Sequence, residues 1–466
     1  MVEHVVLSVD NQFIRTCSIF LGALFLIISG RIHKSIVAIC GAALMILTYT
    51  LEQHEALHIE ELGVDWNVLG LLIGMMIIVE TTGKTGLFKY LAIKSAKMCD
   101  ADPLRILVFF SVITAIFSAL LDNVTTVLLL VPVTLMIADA LEIDAIPFLI
   151  IEVLASNIGG TATLIGDPPN TMIASKAKLS FLDFIIHLAP IVVVMMIVCV
   201  LLIKVFFGKR LRAKEERKAL VMGMDEKKAI KDPVMLTKSL IVLGIVLIGF
   251  ILHGKFHYQP ATIAMSGAGL LLLLSGSGSK ELKEVFSEIE WPVIFFFAGL
   301  FIMVGGLVKV GAIKMMSQEM LNFTDGNLFH TAMLITGFSA GMSGFVDNIP
   351  YVATMNPLVI DMARELWPHE TGTQLLQHPE LMPIWWSLAL GSCLGGNLTP
   401  IGASANVIVV GLAEKAGHKI SFPKFMAYGV PVTILTVFMA MIYVWLRYYY
   451  DWSIVWNTWT NLAVFI

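Results

Sequence analysis

The sequence predicts an all-α polytopic membrane protein built from two inverted repeats, each with about five transmembrane helices, a re-entrant hairpin and a broken helix. Three observations support this fold class. The chain is strongly apolar, its apolar residues fall in blocks of membrane-spanning length, and its two halves resemble each other at nearly constant offsets. The first two set the membrane class, and the third sets the architecture.

The composition places the chain in a bilayer. Of its 466 residues, 57% are hydrophobic and 14% are charged, and the mean hydropathy is +0.84, whereas soluble domains carry about 25% charged residues. Apolar blocks of about 17 to 25 residues match the length of a membrane-spanning helix. The first block, 17–30, runs into Arg31 without a small-residue cleavage site, so we expect a first span and not a removable signal.

Several function classes lack their sequence signals. The formal net charge of −4 gives no reason to expect a nucleic-acid partner. The chain has no GxxxxGK[ST] phosphate-binding loop, so we do not expect it to be an ATP-driven pump. Its five cysteines form no CxxC pair, which predicts neither a disulfide framework nor a zinc site. We therefore expect no enzymatic activity and no cofactor apart from transported or coupling ions.

The two halves of the chain align with each other. At an offset of 225, DWNVLGLLIGMMIIVETTGKTGLFK from Asp65 matches EWPVIFFFAGLFIMVGGLVKVGAIK from Glu290, and LDNVTTVLLLVPV matches VDNIPYVATMNPL. At an offset of 236, SNIGGTATLIGDPPN matches SCLGGNLTPIGASAN with seven of fifteen positions identical. Duplicated apolar segments with matched interruptions indicate a secondary transporter whose site lies between the repeats.

The half-spans around each DN dipeptide are predicted to form a re-entrant hairpin. Five crossings per repeat then remain, and an odd number inverts the second copy. With the central basic loop in the cytoplasm, the predicted inner segments hold 22 of the 31 lysines and arginines, as the positive-inside rule requires. Hairpins that cross fully also fit the charge pattern. The predicted segments are a first repeat 1–207, a cytoplasmic linker 208–236, a second repeat 237–447, and an interfacial tail 448–466 with Trp452, Trp456 and Trp459 at helical spacing.

Each repeat has a polar hairpin tip, at about 121–126 and 346–351, and a glycine-rich break in a helix, at about 156–170 and 392–406. Backbone groups freed from helical pairing are costly in hydrocarbon unless protein or a wet cavity satisfies them. Oxygen atoms at such breaks would coordinate a cation, and half-helix N-termini would attract an anion. The alternative is that small residues only allow close helix packing. The candidate ion- or substrate-binding residues are Asp122, Asn123, Thr125, Ser156, Asn157, Gly160, Thr161, Thr163, Asn170, Asp347, Asn348, Asn397, Thr399 and Asn406.

Four carboxylates lie within apolar runs and are candidates for proton coupling: Asp122, Glu152, Asp167 and Asp347. A charge in such a place is costly, so it marks an ion or proton path by default. A carboxylate that releases its proton when a cation arrives makes an exchanger. Structural alternatives exist: Asp122 and Asp347 could cap a helix, Asp167 could turn the chain, and Glu152 could be held by a hydrogen bond. Glu152 and Asp167 are not duplicated, so we expect the two half-sites to differ.

The tip and break motifs resemble the ion transporter superfamily, and within it the ArsB/NhaD family of arsenite-efflux and sodium/proton antiporters, closest to its P protein-like branch. The resemblance covers nearly the whole chain and is carried by FSALLDNVTTVLLLVPVT, EVLASNIGGTATLIGDPPNTMIAS and GGNLTPIGASANVI. Sodium-coupled dicarboxylate carriers of the same superfamily have a tip SNT motif where this chain has Asp122, Asn123 and Val124. The additional negative charge at each tip favours a cation or proton over a carboxylate substrate.

The resemblance implies a homodimer in which a fixed scaffold supports a transport unit that moves like an elevator. It implies one ion site near Asp122, Asn123, Asn157, Gly160 and Asn170, with Na⁺ at the first three, and a pseudo-symmetric site near Asp347, Asn348, Asn397 and Asn406. The expected function is proton-coupled antiport of sodium or lithium in the cell (inner) membrane, with small ions and the lipid bilayer as partners. Efflux of arsenite or another anion, and sodium-coupled symport of a dicarboxylate or other anion, are the alternatives.

Overall fold

The computed structural model describes residues 11–59, 61–208, 211–256, 258–276 and 278–450. Within these ranges the chain forms helices and no β-strand, which confirms the all-α prediction. Eight of the described helices are long and apolar enough to cross a membrane, by length and composition. The predicted interfacial tail, with its three tryptophans, lies outside the described residues from position 451 onward.

The first half of the chain contains ten helices within the described residues. They are α1 (Asn11–Ser29), α2 (Lys34–Leu47), α3 (Gln53–His58), α4 (Trp66–Lys84), α5 (Leu87–Met98), α6 (Pro103–Leu120), α7 (Asn123–Leu141), α8 (Ile146–Gly160), α9 (Pro168–Ala177) and α10 (Phe181–Phe207). The linker adds α11 (Glu215–Met222) and a 3₁₀ turn, Glu226–Ala229.

The second half of the chain follows the same order of elements, with one additional short helix, Gly372–Leu376, among its described residues. Its described helices are α12 (Pro233–Phe256), α13 (Pro260–Ser275), α14 (Ser279–Ser287), α15 (Trp291–Lys309), α16 (Ala312–Phe323), α17 (Leu328–Val346), α18 (Asn348–Leu366), α19 (Gly372–Leu376), α20 (Met382–Gly395), α21 (Ser404–Lys415) and α22 (Phe422–Val444). A π-helical turn, Trp445–Tyr449, extends α22.

Helices of the two halves begin and end at matching positions. At the offset of 225, α4 and α15 each have 19 residues, α5 and α16 each have 12, and α7 and α18 each have 19. Both α5 and α16 start after a left-handed glycine, Gly86 at φ +89° and Gly311 at φ +80°, a conformation that glycine adopts without strain. The repeat in the sequence therefore recurs as a repeat of helix lengths, and the inversion of the second copy stays a prediction.

Helices of the first half pack closely against helices of the second half. A Cβ atom at Gly74 on α4 would lie 2.7 Å from the carbonyl carbon of Ala264 on α13. One at Gly299 on α15 would lie 2.6 Å from the carbonyl carbon of Ala38 on α2. Small residues permit this close backbone approach between membrane helices. The second helix of each half therefore packs against the fourth helix of the other half.

Each hairpin packs tightly against the broken helix of its own half. A Cβ atom at Gly159 would lie 2.2 Å from the carbonyl oxygen of Ala115, and one at Gly395 would lie 2.5 Å from that of Ala340. These two contacts join α6 to α8 and α17 to α20. A side chain at either glycine would clash with this backbone, so the close contact between the hairpin and the broken helix requires glycine at both positions.

The linker is folded onto the first half. Lys97 on α5 forms an ion pair of 2.7 Å with Glu226 and donates to the carbonyl of Met224 at 3.1 Å. The backbone N–H of Lys231 donates to the carbonyl of Thr85 at 2.9 Å. The hydrogen bond from Lys97 holds the pKa of Glu226 below its ordinary value. The linker is thus anchored to α5 and its N-terminal loop on both sides of the 3₁₀ turn Glu226–Ala229.

Candidate functional site

The hairpin tips are short. Leu121 and Asp122 join α6 to α7, and Asp347 alone joins α17 to α18. The backbone N–H of Asn123 donates to the carbonyl of Gly166 at 3.1 Å, and that of Asn348 donates to the carbonyl of Gly402 at 3.1 Å. Each tip therefore lies against the unwound segment of the broken helix in its own half.

The unwound segments are narrower than the predicted breaks, since helix is lost only over 161–167 and 396–403. Threonine hydroxyls hold each segment against the neighbouring hairpin. Thr163 donates to the carbonyl of Ala119 at 2.5 Å, and Thr399 donates to that of Gly344 at 2.5 Å. The two threonines are repeat counterparts, so the same hydrogen bond holds the unwound segment in both copies.

Two asparagines close the breaks from the C-terminal side. The side-chain amide of Asn170 donates to the carbonyls of Thr161 and Thr163 at 3.1 and 2.9 Å. That of Asn406 donates to the carbonyls of Gly396 and Thr399 at 2.7 and 2.8 Å. Carbonyls released from a helix need such partners in an apolar surrounding. The amide nitrogens of this shared pair are therefore committed to the breaks.

Asp167 lies between the two hairpin tips and is fully buried. Its Oδ1 accepts from the side-chain amide of Asn123 at 3.1 Å. The side-chain amide of Asn348 donates to both of its oxygens, at 3.2 and 3.4 Å. A carboxylate that exists in only one copy of the repeat is thus bound by the equivalent asparagine from each copy.

Asn157 extends this cluster across the second break. It accepts from the amide of Asn123 at 3.1 Å and donates to the side-chain oxygens of Asn397 and Asn406, both at 2.9 Å. All of these side chains are buried. The Oδ1 atom of Asn123 has no hydrogen-bond partner among the described residues. Because a buried acceptor without a partner is unfavourable, this oxygen is a candidate ligand for a cation.

The tip aspartates are bound differently from each other. Asp122 accepts from the backbone N–H of Thr125 at 2.8 Å and from its hydroxyl at 2.5 Å. Asp347 accepts from the ammonium group of Lys34 at 2.6 Å and from the backbone N–H of Ile349 at 3.1 Å. Both aspartates cap the helix that follows, which is the structural role considered from the sequence. Only the second tip carries a basic partner among the described residues.

Glu152 lies away from the cluster. Its Oε1 accepts from the hydroxyl of Thr134 at 2.6 Å, and its Oε2 has no partner among the described residues. The hydrogen bond considered from the sequence is present, but it satisfies only one of the two oxygens. Glu152 therefore stays a separate candidate for proton transfer, between α7 and α8.

Apart from Glu152, the predicted site residues divide into three groups, of which the capping aspartates Asp122 and Asp347 form the first. The structure brings together the side chains of Asn123, Asn157, Asp167, Asn348, Asn397 and Asn406. Polar groups of Thr125, Ser156, Gly160, Thr161, Thr163, Asn170 and Thr399 serve the tips and breaks. Lys34 and Ser404 were missed, although Lys34 opens the apolar run SIVAICGAALMIL and so had a visible signal.

A cleft of about 470 Å³ lies beside the cluster, between α9, α15 and α18. Met172 and Ala353 line it, each five residues from Asp167 and Asn348, or roughly 7.5 Å along its helix. The charged lining consists of four carboxylates and three basic side chains, namely Glu61, Asp65, Asp361, Glu370, Lys176, Lys178 and Arg364. The cleft therefore comes within about one and a half helical turns of the cluster, and its lining has a small excess of acidic groups.

Two hairpin tips that meet two broken helices inside an apolar helical bundle define a membrane transporter. The chain belongs to the citrate transporter family, whose family model matches residues 24–391. It is 46% identical to an uncharacterized transporter of Mycobacterium tuberculosis strain H37Rv, over 93% of this chain and 98% of the relative. This membership confirms the prediction of a membrane transporter in the ion transporter superfamily. The finer ArsB/NhaD assignment stays a prediction.

The chain is also similar to more distant membrane proteins and to a solved transporter structure. It is 43% identical to the 46 kDa membrane protein of Mycobacterium leprae, over 92% of this chain and 98% of that protein. It is 30% identical to the human P protein, over 94% of this chain and 60% of that protein. In fold it resembles the YdaH transporter of Alcanivorax borkumensis, with a TM-score of 0.56, 13% identity, and coverage of 87% of this chain and 88% of that one.

Proposed function

We propose that this chain is a proton-coupled secondary transporter that binds a small monovalent cation, Na⁺ or Li⁺, beside Asp167. The observation that carries the proposal is the position of that carboxylate. Asp167 is fully buried and is bound by Asn123 and Asn348, the equivalent tip residues of the two halves. A buried ionisable group of this kind marks an ion or proton path by default.

The surrounding atoms suit a hard cation. Carboxylate oxygens of Asp167, the unpartnered amide oxygen of Asn123 and carbonyls of the unwound segments supply oxygen ligands. Broken helices supply such oxygens to coupling ions in secondary transporters. Asn157 belongs to the same network and has a cysteine, Cys393, as its repeat counterpart. Asn157 and Asp167 therefore determine the choice of ion in this proposal.

Exchange follows from the cost of a buried charge. Without a cation, burial of the Asp167 carboxyl favours its neutral form, because a buried charge without a charged partner is costly. An arriving cation favours the carboxylate, and the proton leaves as the cation binds. Release of the cation on the other side of the membrane is followed by uptake of a proton there. A single carboxyl that binds either a proton or a cation exchanges one proton for one cation.

We propose the following membrane arrangement for this cycle: two inverted repeats, re-entrant hairpins, a cytoplasmic linker and an elevator-like transport unit in a homodimer of the cell membrane. The contacts between each tip and the break of its own half support re-entrance, because the break of a transporter helix lies near the bilayer midplane. The matched helix lengths and the exchanged packing of α2 and α13 support a duplicated scaffold.

Citrate uptake is the second candidate, since the matched family is described as a citrate transporter and a cleft of about 470 Å³ has the volume of a small-molecule site. The charges favour a cation. Three carboxylates, Asp122, Asp167 and Asp347, lie at the tips and the break with one basic group, Lys34. A bare tricarboxylate would meet a net negative surrounding. Arsenite is not favoured as a substrate, because Cys393 supplies only one buried thiol at the second break and capture of arsenite by thiolates needs three.

The test is transport in liposomes that contain purified protein and carry an imposed pH gradient. We expect sodium or lithium to dissipate the gradient, and potassium, arsenite, citrate and dicarboxylates to have little effect. Labelled citrate uptake is measured in the same vesicles. If no cation dissipates the gradient and citrate accumulates, the antiport proposal is wrong and citrate transport replaces it.

A further inference from the structure

The second hairpin tip contains an ammonium group from another part of the chain. Lys34, the first residue of α2, donates to Asp347 Oδ2 and to Ser404 Oγ, both at 2.6 Å. Its ammonium group also lies 4.8 Å from the ring centre of Phe296, within the range of a cation–π contact. The positive charge is thus surrounded by a carboxylate, a hydroxyl and an aromatic face.

The first tip lacks the counterparts of Lys34 and Ser404. Gly299 packs on Ala38 as Gly74 packs on Ala264, so α2 aligns with α13 at an offset of 226. Lys34 then corresponds to Pro260, and Ser404 corresponds to Pro168 at the offset of 236. Proline offers neither a side-chain donor nor a backbone N–H.

The donor of the first tip is likewise missing from the second tip. Thr125, which donates twice to Asp122, corresponds to Pro350 in the second half. The donors of the first tip are therefore neutral and come from its own helix, whereas the second tip receives a charge from α2. In the described part of the chain, no lysine or arginine forms an ion pair with Asp122.

We propose that the Lys34 ammonium is a tethered cation that occupies the second of two pseudo-symmetric tip sites, so that only the first tip takes a cation from solution. This inference rests on the proposed cation site beside Asn123 and Asp167. It assigns Lys34 a role in setting the number of ions bound per protomer. The ligand of the emptied second site would be a monovalent cation held by Asp347 and Ser404.

Removal of the tether should open the second site to an ion from solution. The test is equilibrium binding of ²²Na⁺ to purified protein. We expect wild-type protein to saturate at one sodium per protomer and Lys34→Met to bind about twice as much. Arg31→Met is the matched control, because Arg31 is an exposed neighbour and its loss removes the same charge without opening a site. The double variant Lys34→Met/Asp347→Asn should return to one sodium.

Each outcome decides between the two proposals. Equal sodium binding by Lys34→Met and wild-type protein overturns the tethered-cation inference and leaves the proposed function standing. No binding by wild-type protein with one sodium in Lys34→Met supports the inference and contradicts the sodium site at Asp167. If Lys34→Met does not fold, the charge-neutral double variant provides the readout, and sodium binding below the wild-type level shows that the second tip was itself an ion site and overturns the inference.

Discussion

Asn348 donates hydrogen bonds from its side-chain amide to both carboxylate oxygens of Asp167, at 3.2 and 3.4 Å, although 181 positions separate the two residues. This contact joins the hairpin tip of the second half to the broken helix of the first. Asp167 is therefore held by the tip asparagine of each half, Asn123 and Asn348.

Asp167→Asn should reduce cation-dependent dissipation of a pH gradient to the level of empty liposomes. The variant cannot exchange a proton for a cation, and its amide group would place a donor against the donors of Asn123 and Asn348. Asp139→Asn is the control, because Asp139 has a side chain that is 67% exposed. Normal exchange by Asp167→Asn, with normal protein incorporation, would remove this residue from the mechanism.

Asp122→Asn should abolish coupled exchange in a protein that stays folded. Asparagine caps helices about as well as aspartate, so the bond from the Thr125 backbone to position 122 can persist. What the variant loses is the negative charge of the first tip. The measurement is sodium-driven proton movement in liposomes, together with the melting temperature in detergent. A variant with an intact melting temperature and full activity would leave Asp122 with a capping role only.

Asn157→Cys, which installs the residue found at the repeat counterpart, should weaken sodium binding and change the preference between sodium and lithium. The substitution removes the donor from the buried oxygens of Asn397 and Asn406, and an unpaired buried acceptor costs about 1–3 kcal/mol. Half-maximal concentrations of both ions are measured in the pH-gradient assay. Asn322→Ala, at an exposed position on α16, should leave both values unchanged, and an unaltered ion preference in Asn157→Cys would argue against its role.

Gly159→Ala and Gly395→Ala should each destabilise the protein by about 1–3 kcal/mol, the usual cost of overpacking. Their added methyl groups would lie 2.2 Å and 2.5 Å from the carbonyl oxygens of Ala115 and Ala340. Gly269→Ala is the matched control in α13, where no heavy atom lies within 4 Å. Thermal unfolding in detergent checks all three. Equal melting temperatures would show that the hairpins can shift away from the breaks.

Glu226→Gln should loosen the linker at neutral pH and increase tryptic cleavage within it roughly two- to threefold, since it removes an ion pair with Lys97 that is partly exposed. The pKa of Glu226 lies below its ordinary value. The contact is therefore fully present above the ordinary pKa of about 4.3 and is lost as the pH falls through the lower folded value. The control variant Glu216→Gln, in the exposed part of α11, should be cleaved by trypsin at the same rate as wild-type protein.

Much of the fold follows from local chemistry. Apolar blocks predict the long helices, and the proline and glycine pairs of 156–170 predict a break, whose helix-free part proves to be 161–167. The duplicated DN dipeptides mark the two tips because an aspartate that caps a helix must lie just outside it. These signals lie within a few residues of the structure they specify, so the sequence carries them directly.

The arrangement of the site could not be predicted in the same way. The resemblance implied an ion site near each tip, and the hydrogen bonds of Asn157 and Asn348 connect residues expected at the two sites. Pairings across 181 to 249 positions depend on how the halves pack. Lys34 was missed for the same reason, since its partner lies 313 positions away. A residue's charge is visible in the sequence, but its partner is set by the tertiary fold.

The exchange of donors for prolines between the two tips has a thermodynamic consequence. Two identical inverted halves would make the inward-facing and outward-facing states equal in free energy, because each would be the other viewed from the opposite side. Lys34 and Thr125 stand where the other copy has Pro260 and Pro350, so the two tips differ in their hydrogen-bond donors. In an inverted arrangement of this kind, the inward-facing and outward-facing states would therefore differ in free energy even without any ion gradient.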